Sequence, residues 1–349
     1  MRIAQIAPLA EAVPPILYGG TERVVSWLTE ELVNQGHEVT LFASGDSKTG
    51  AELVPIVKQA LRLDSGVRDF SPYHFVEIDK VFQRAHEFDV LHFHIDLMHY
   101  PLFRQMADRV VTTLHGRLDL PDLWPFYRAF PEMPLVSISD SQRKPMPPVN
   151  WLDTIYHGLP SDLHSFNDKP EGYFAFLGRI SPEKGPEHAI EIAKRTDTPL
   201  KIAAKVDNAD KVYFEERVKP LLNHPLIEFI GEIDETQKTD FLGNAKALLF
   251  PINWPEPFGL VMIEAMACGT PVIAYRHGSV PEVLDNGVTG FVVNDIEDAV
   301  TAAGWLDTLD RGRIRGVFEQ RFSARRMAKS YVAAYQRLIE GANGASKAA

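Results

Sequence analysis

Arg179 and Lys184 stand five residues apart in the stretch GRISPEKG, bounded by Gly178 and Gly185. The preceding residues 173–177 have strand character, so the two cations fall in a loop at a strand's end. Two positive charges there do little for packing. They suit a diphosphate, to which Arg offers a planar fork and Lys a point charge. Each such ionised contact is worth about 1.5–3 kcal/mol. The competing reading is a solvated loop in which Glu183 neutralises Lys184. Further on, residues 250–269, FPINWPEPFGLVMIEAMACG, carry Glu256 in a proline-rich loop and Glu264 inside an apolar helical segment. A carboxylate between Ile263 and Ala265 is costly unless paired or facing a ligand; otherwise it is that helix's one wet position. The helix opening after Gly259 presents a positive dipole end worth about 0.3–1 kcal/mol to an anion. The Arg–Lys pair therefore dominates phosphate binding, with the helix secondary.

Histidines supply a second group. The apolar segments 89–94, 109–114, 135–139 and 153–156 each end in a polar or glycine-rich turn. As parallel strands they place His94, His115, Ser139 and His157 along one rim of one sheet, a convergence that favours a site. Ahead of them, Tyr18-Gly19-Gly20 precedes a helical pattern. It is either an anion cradle of glycine backbone and free helix amides or a plain turn. It is not GxGxxG, which disfavours an NAD-dependent oxidoreductase.

These residues need a scaffold of alternating strands and helices. Residues 2–8 read as a strand, a helix follows to Gln35 and stops at Gly36, and residues 38–43 form the next strand, a right-handed βαβ unit. Residues 48–69 show no clear period and read as surface loops with a short helix; residues 76–87 read as a helix. The polar, proline-bounded residues 160–170 read as an interdomain linker. Alternation then restarts, with strands at 173–177, 200–204, 227–231, 247–250, 271–275 and 289–293. Helices are expected at 187–195, 213–222, 236–244, 260–267, 297–309 and 323–339. The fold class is α/β, with two doubly wound parallel-sheet domains at about residues 1–158 and 159–320.

Length and composition bound the rest. The chain has 349 residues, is 45% hydrophobic and 24% charged, and carries a net charge of -11. That charge disfavours nucleic acid as a partner. Its one cysteine, Cys268, excludes an internal disulfide and cysteine-rich zinc clusters and fits a reducing compartment. The opening run 2–7 is too short for a signal peptide, and no apolar stretch nears the roughly 20 residues of a membrane span. The expectation is a cytoplasmic protein. Residues 1–157 hold 14 Lys and Arg against 20 Asp and Glu. With no basic amphipathic helix in view, membrane association is disfavoured and a soluble acceptor preferred.

Gly178-Arg179 with Lys184-Gly185, and Glu256-Pro257-Phe258-Gly259 with EAMACGTPV from Glu264 to Val272, resemble the signature of glycosyltransferase family 4. The likeness runs over residues 2–339. It implies a GT-B fold: an acceptor-side Rossmann-like domain of residues 1–158 plus 323–345, a donor-side domain of residues 159–322, an interdomain cleft, and a last helix crossing back. It implies retaining transfer of a sugar from a nucleoside diphosphate, UDP by default, to an acceptor hydroxyl on a small molecule or glycan. Arg179 and Lys184 would hold the diphosphate and stabilise the leaving group, making a metal unnecessary. Glu256 would bind sugar hydroxyls and Glu264 the ribose diol. Phe258, Gly259 and Leu260 would offer backbone amides, and Gly19-Gly20 would close over the phosphates. His115 would approach the transferred sugar; Lys205, Val206 and Glu232 would contact the base; His94 and Asp96 would face the acceptor. Two departures touch local turns: His157-Gly158 where asparagine usually precedes glycine, and Ala204-Lys205 where a glycine is usual. With no confident enzymic nucleophile in the sequence, front-face attack is preferred over double displacement. An epimerase of the same architecture and a non-catalytic sugar-nucleotide-binding relative are the alternatives.

Overall fold

A computed structural model describes residues 1–16 and 19–348. The chain forms two compact units, Met1–Gly158 with Ala324–Ala349, and Leu159–Ser323. Tyr18 lies outside the described residues.

The first unit is built on a seven-stranded sheet: β1 (Arg2–Ile6), β2 (Glu38–Ser44), β3 (Glu52–Val57), β4 (Val90–Phe93), β5 (Val110–Thr113), β6 (Leu135–Ser137) and β7 (Trp151–Thr154). Every pairing is parallel, in the order β3-β2-β1-β4-β5-β6-β7. Residues 90–93 of β4 are all buried, as expected where helices cover both faces of a parallel sheet. Helix α1 (Gly20–Asn34) buries Val24, Val25, Leu28 and Leu32 at helical spacing. Helix α2 (Ser71–Arg84) buries His74, Glu77, Ile78 and Val81.

The second unit repeats the plan with six parallel strands: β8 (Tyr173–Arg179), β9 (Leu200–Lys205), β10 (Ile227–Gly231), β11 (Ala245–Phe250), β12 (Val272–Tyr275) and β13 (Gly290–Val293). Their order is β10-β9-β8-β11-β12-β13. The helices used below are α3 (Pro186–Arg195), α4 (Glu235–Gly243), α5 (Leu260–Ala267), α6 (Ile296–Ala303) and α7 (Arg311–Arg321). Helix α8 (Ala324–Ala348) returns to the first unit. There the Tyr335 hydroxyl lies 2.7 Å from His92 Nδ1, and the Tyr331 hydroxyl 2.9 Å from Thr113 Oγ1, all four residues being fully buried.

In each sheet the chain starts near the middle, runs to one edge, then resumes on the other side of the first strand. The reversal falls between β1 and β4 in one unit and between β8 and β11 in the other. At such a switch point the loops leaving the two strands diverge and open a crevice at their carboxyl ends.

Several elements differ from the sequence reading. Residues 48–69 contain β3, an edge strand; an edge position tolerates Pro55, which obscured the pattern. Helix α2 begins at Ser71 rather than residue 76 because Pro72 suits a helix's first turn. Residues 213–222 are broken into a π turn (Phe214–Val218) and a 3-10 turn (Lys219–Leu222), with Pro220 interrupting the ladder. Helix α7 went unread because only Ile314 and Phe318 of it are buried. Residues 160–170 are no free linker: His164 is buried, Asn167 N–H donates to Cys268 O at 3.1 Å, and Arg315 donates to His164 O at 2.9 Å.

Candidate active site

In the second unit β8 delivers Arg179 at its last residue, and Lys184 closes the 3-10 turn Pro182–Lys184 just beyond. Gly185 has φ 67°, and a Cβ there would stand 2.2 Å from Pro251 O. Only glycine lets this turn press against the loop leaving β11. Asn253 N–H then donates to Glu183 O at 2.8 Å, tying the loops together. Gly278, with φ 55°, makes the same approach to Glu256, whose backbone N and O would each lie 2.3 Å from an added Cβ. Two glycine contacts thus fix the backbone on which Lys184 and Glu256 stand.

Their side chains meet. Lys184 Nζ lies 2.5 Å from Glu256 Oε2, and Trp254 Nε1 donates to the same oxygen at 2.7 Å. The ammonium sits 5.1 Å from the Trp254 ring centroid, within cation–π range. Arg179 pairs with Glu183 at 3.3 Å and with Asp207 at 3.5 Å, and Lys205 Nζ lies 3.0 Å from Asp207. Partial burial works against the charge on Asp207, yet Lys205 and Arg179 hold its carboxyl below the usual carboxylate range. Three cations, Arg179, Lys184 and Lys205, therefore stand at or just beyond the carboxyl ends of β8 and β9, each against a carboxylate.

Glu264 is not part of that group's ion pairs. It lies one helix turn into α5, 4% exposed, and Lys238 Nζ of α4 reaches its Oε1 at 2.7 Å. Lys238 also approaches Glu235 at 3.3 Å, and His164 Nε2 lies 3.6 Å from Glu235. His164, Glu235 and Glu264 have metal-ligating atoms within 4.8 Å of one another. Lys238 already supplies positive charge in that cluster. Gly259 caps α5 without a side-chain acceptor on its amides, leaving the helix start open to an anion. Phe258 is buried and its carbonyl accepts from Ser279 Oγ at 2.8 Å, while Leu260 opens the helix. Val206 packs against the core and Glu232 is exposed beyond β10.

The first unit carries the histidines. His94 leaves the end of β4 and its Nε2 lies 2.8 Å from Gln5 Oε1. A carboxamide oxygen only accepts, so His94 Nε2 carries the proton and its Nδ1 accepts, from His115 Nε2 at 2.9 Å. The tautomers follow in sequence: His115 is protonated on Nε2, and its buried Nδ1 finds no partner among the described residues. Burial pushes the His94 and His157 imidazoles well below their usual range, and His115 down to about 3. His157 stacks on His115 with ring centroids 5.3 Å apart. Ser139 follows the carboxyl end of β6, where its hydroxyl caps the short helix Asp140–Arg143. Gln142 of that helix donates to Leu114 O and Gly116 O, both at 2.8 Å, and so clamps the turn that carries His115.

A pocket of about 290 Å³ opens here, lined by Pro8, Thr21, His74, His94, Asp96 and His115 among others. These residues follow β1, β4 and β5 or lie on α1 and α2, so the pocket sits at the first unit's switch point. Asp96 has φ 55°, a left-handed conformation uncommon for a residue with a side chain. It keeps access to solvent, but the protein around it pushes its carboxyl up to about 6. On α2, His74 Nδ1 bonds to Glu77 Oε2 at 2.9 Å, and full burial pushes the Glu77 carboxyl up to about 7. Gly19 caps α1, with Gly20 its exposed first residue. Glu22, buried in the first turn, already sets an acid at that helix start, and burial raises its pKa.

The structure pairs Lys184 with Glu256, joins Arg179 and Lys205 through Asp207 in the same unit, and sets His94, Asp96, His115 and Thr21 around one pocket in the other. Sequence reasoning missed Lys238, Trp254, Gln142 and the His74–Glu77 pair. Lys238 lies three residues after Glu235 and Glu77 three after His74, the spacing that lets side chains on a helix meet. Nothing local marks which face of α4 or α2 is buried.

Residues 18–139 match the family described as Glycosyltransferase Family 4, and residues 164–311 match Glycosyl transferases group 1. The chain is similar to phosphatidyl-myo-inositol mannosyltransferase of Mycolicibacterium smegmatis, with 28% identity covering 93% of this chain and 89% of that one. Among solved structures it resembles AviGT4, a glycosyltransferase involved in avilamycin A biosynthesis, with TM-score 0.74 and 22% identity over 98% of each chain. It also resembles Anabaena HepE in complex with UDP and glucose, with TM-score 0.72 and 18% identity over 97% of this chain and 100% of that one. These likenesses show a GT-B fold. No described helix is long and apolar enough to cross a membrane.

Proposed function

The chain belongs to the family-4 glycosyltransferases, and from that premise we propose that it moves a sugar from a nucleoside diphosphate to an acceptor hydroxyl with retained configuration. The observation that carries the donor assignment is the set of cations at the β8/β11 switch point, Arg179 and Lys184 with Lys205 beside them. Uridine is the default base, the one held by HepE.

On this reading the pyrophosphate exchanges Glu256 and Asp207 for itself as partner of Lys184 and Arg179. The acceptor oxygen attacks the anomeric carbon from the side of the departing phosphate. The bond between that carbon and the phosphate oxygen breaks, and the acceptor's hydroxyl proton passes to the phosphate oxygen. The nucleoside diphosphate leaves with both electrons of the broken bond. Its growing charge is met by Arg179, Lys184 and the open amides at the start of α5, each fixed before the reaction begins. Glu256, released from Lys184, takes hydroxyls of the donor sugar, and Glu264 takes the ribose diol. With the positive charge supplied by side chains, the reaction is metal-independent on this proposal, in a reducing, cytoplasmic setting that suits the free Cys268.

A thermal-shift panel of UDP, GDP, ADP and dTDP tests the donor class. A ligand at 100 times its Kd stabilises the native state by about 2.7 kcal/mol. UDP is expected to raise Tm most, with and without EDTA. No rise with any of the four refutes the reading; a rise abolished by EDTA refutes metal independence.

A further inference from the structure

The pocket at the first unit's switch point has a chemical character of its own. None of its described lining residues is Lys or Arg. The arginine next to it in sequence, Arg117, is held by Asp119 through two hydrogen bonds, Nε to Oδ1 at 2.7 Å and Nη2 to Oδ2 at 2.8 Å. Its one carboxylate, Asp96, has a left-handed backbone conformation and stays exposed. Such strain persists where the surroundings over-determine it, and it gathers at ligand sites.

His94 and His115 add no positive charge to offset Asp96. His94 and His115 are locked as neutral tautomers by the chain of bonds from Gln5. His74 is fixed differently: its Nδ1 is committed to Glu77, whose side chain is fully buried, so the ring presents its other edge. The Glu77 side chain contributes nothing to the surface, and a buried carboxylate aligned on an imidazole serves to orient it. A phosphate or carboxylate brought here would meet Asp96 with no Lys or Arg of the lining to pair with. A hydroxyl-rich molecule meets an acceptor carboxylate and imidazole edges, the groups that bind O–H donors. The volume, about 290 Å³, lies at the small end for ligand sites.

We infer that this pocket takes a neutral polyhydroxylated acceptor, a monosaccharide-sized sugar or cyclitol without phosphate or carboxylate, with Asp96 binding its hydroxyls and His74, oriented by Glu77, setting its register. The inference rests on the glycosyltransfer reading above and adds the acceptor's class. It sets this chain apart from its mannosyltransferase relative, whose named acceptor carries a phosphatidyl group.

The test uses the full chain, the nucleotide sugar whose nucleotide gives the largest thermal shift, and nucleoside diphosphate release as the readout. The acceptors are glucose, galactose and myo-inositol, each beside its monophosphate, with water alone as the baseline. The expected result is stimulation by at least one neutral polyol, with kcat/KM at least tenfold above that of its phosphorylated form. Asp96→Asn keeps a residue that tolerates positive φ, and is expected to raise the acceptor KM at least tenfold with the donor KM unchanged. Glu77→Gln keeps a hydrogen bond to His74, and is expected to raise acceptor KM more than it lowers kcat. Preference for a phosphorylated acceptor, no stimulation by any neutral polyol, or unchanged acceptor KM in Asp96→Asn overturns the inference. Those outcomes leave donor binding intact, whereas absence of any nucleotide-induced thermal shift refutes glycosyl transfer itself.

Discussion

Lys184→Ala is the perturbation with the most to say. In the free protein Lys184 and Glu256 are 16% and 12% exposed, and their contact is 2.5 Å. Removing the lysine leaves Glu256 Oε2 with the Trp254 Nε1 donor at 2.7 Å. Breaking a buried pair costs about 3–5 kcal/mol, and an exposed one contributes about 0–1 kcal/mol. For a pair mostly but not wholly withdrawn from water, a loss of about 2 kcal/mol follows. The penalty comes from the stranded carboxylate, so it should shrink once that charge is gone. In a Glu256→Gln background the same lysine deletion should cost about 1 kcal/mol, a coupling of about 1 kcal/mol, which a double-mutant cycle resolves. Catalysis responds on a larger scale. A preorganised donor lost from a developing anion costs about 3–4 kcal/mol, or roughly 10²–10³ in kcat/KM. Urea denaturation of the four cycle members, with initial rates on each, separates the two effects. A folded Lys184→Ala variant within threefold of wild-type kcat/KM refutes the phosphate assignment. Strict additivity of the two substitutions in stability refutes the pairing.

Three further outcomes follow. Lys238→Met strands Glu264 inside the second unit and should lower stability by about 1–3 kcal/mol while raising donor KM; a lower donor KM would mean that Lys238 competes with the ribose rather than positioning its carboxylate. Burial depresses the pKa of His92, His94, His99, His115 and His157. Their contribution is therefore complete above the unfolded imidazole value near 6.5 and is lost below it, at about 1 kcal/mol per histidine per pH unit. Glu77 and Asp96, raised to about 7 and about 6, act in the opposite sense over the same window. The histidines prevail, so the urea midpoint should fall between pH 7.5 and 5.5; a flat or rising midpoint contradicts the neutral-histidine network. Tyr335→Phe removes the hydroxyl between His92 and Gln5 and should cost about 1–2 kcal/mol with the nucleotide-induced Tm shift unchanged; an altered shift would link that helix to donor binding.

The turn that carries Arg179 and Lys184 was legible because its constraint is local. A glycine, a cation, four residues and another cation–glycine pair describe one turn, and the backbone approach of Gly185 to Pro251 shows why that turn cannot vary freely. The fold was legible for a related reason: buried parallel strands read as continuous apolar runs, and most are bounded by turns. What stayed hidden depends on facing. Glu264 could be read as costly, but its partner comes from α4, 26 residues earlier, and only packing decides that Lys238 rather than water answers it. The capping role of Ser139 stayed hidden because a hydroxyl at a strand's end serves a helix cap as well as a site. Strand β3 failed the pattern because an edge tolerates the proline and polarity that a central strand does not.

Strand order is the same in both units up to β6 and β13, so each presents one crevice, and the difference in chemistry is carried by side chains alone. At the β8/β11 crevice Arg179 and Lys205 are held by partly exposed carboxylates and Lys184 by the more withdrawn Glu256, so a bound anion would take over positive charge already in place. At the β1/β4 crevice the lining offers the Asp96 carboxylate and the neutral imidazoles of His94 and His115, and no Lys or Arg for an anion to exchange onto. A charged donor and an uncharged acceptor make opposite demands on their sites. A single cation moved into the β1/β4 crevice should show this: Thr21→Lys would admit phosphorylated acceptors and weaken neutral ones in the same release assay. If instead neutral acceptors keep their advantage, charge is not what selects the acceptor.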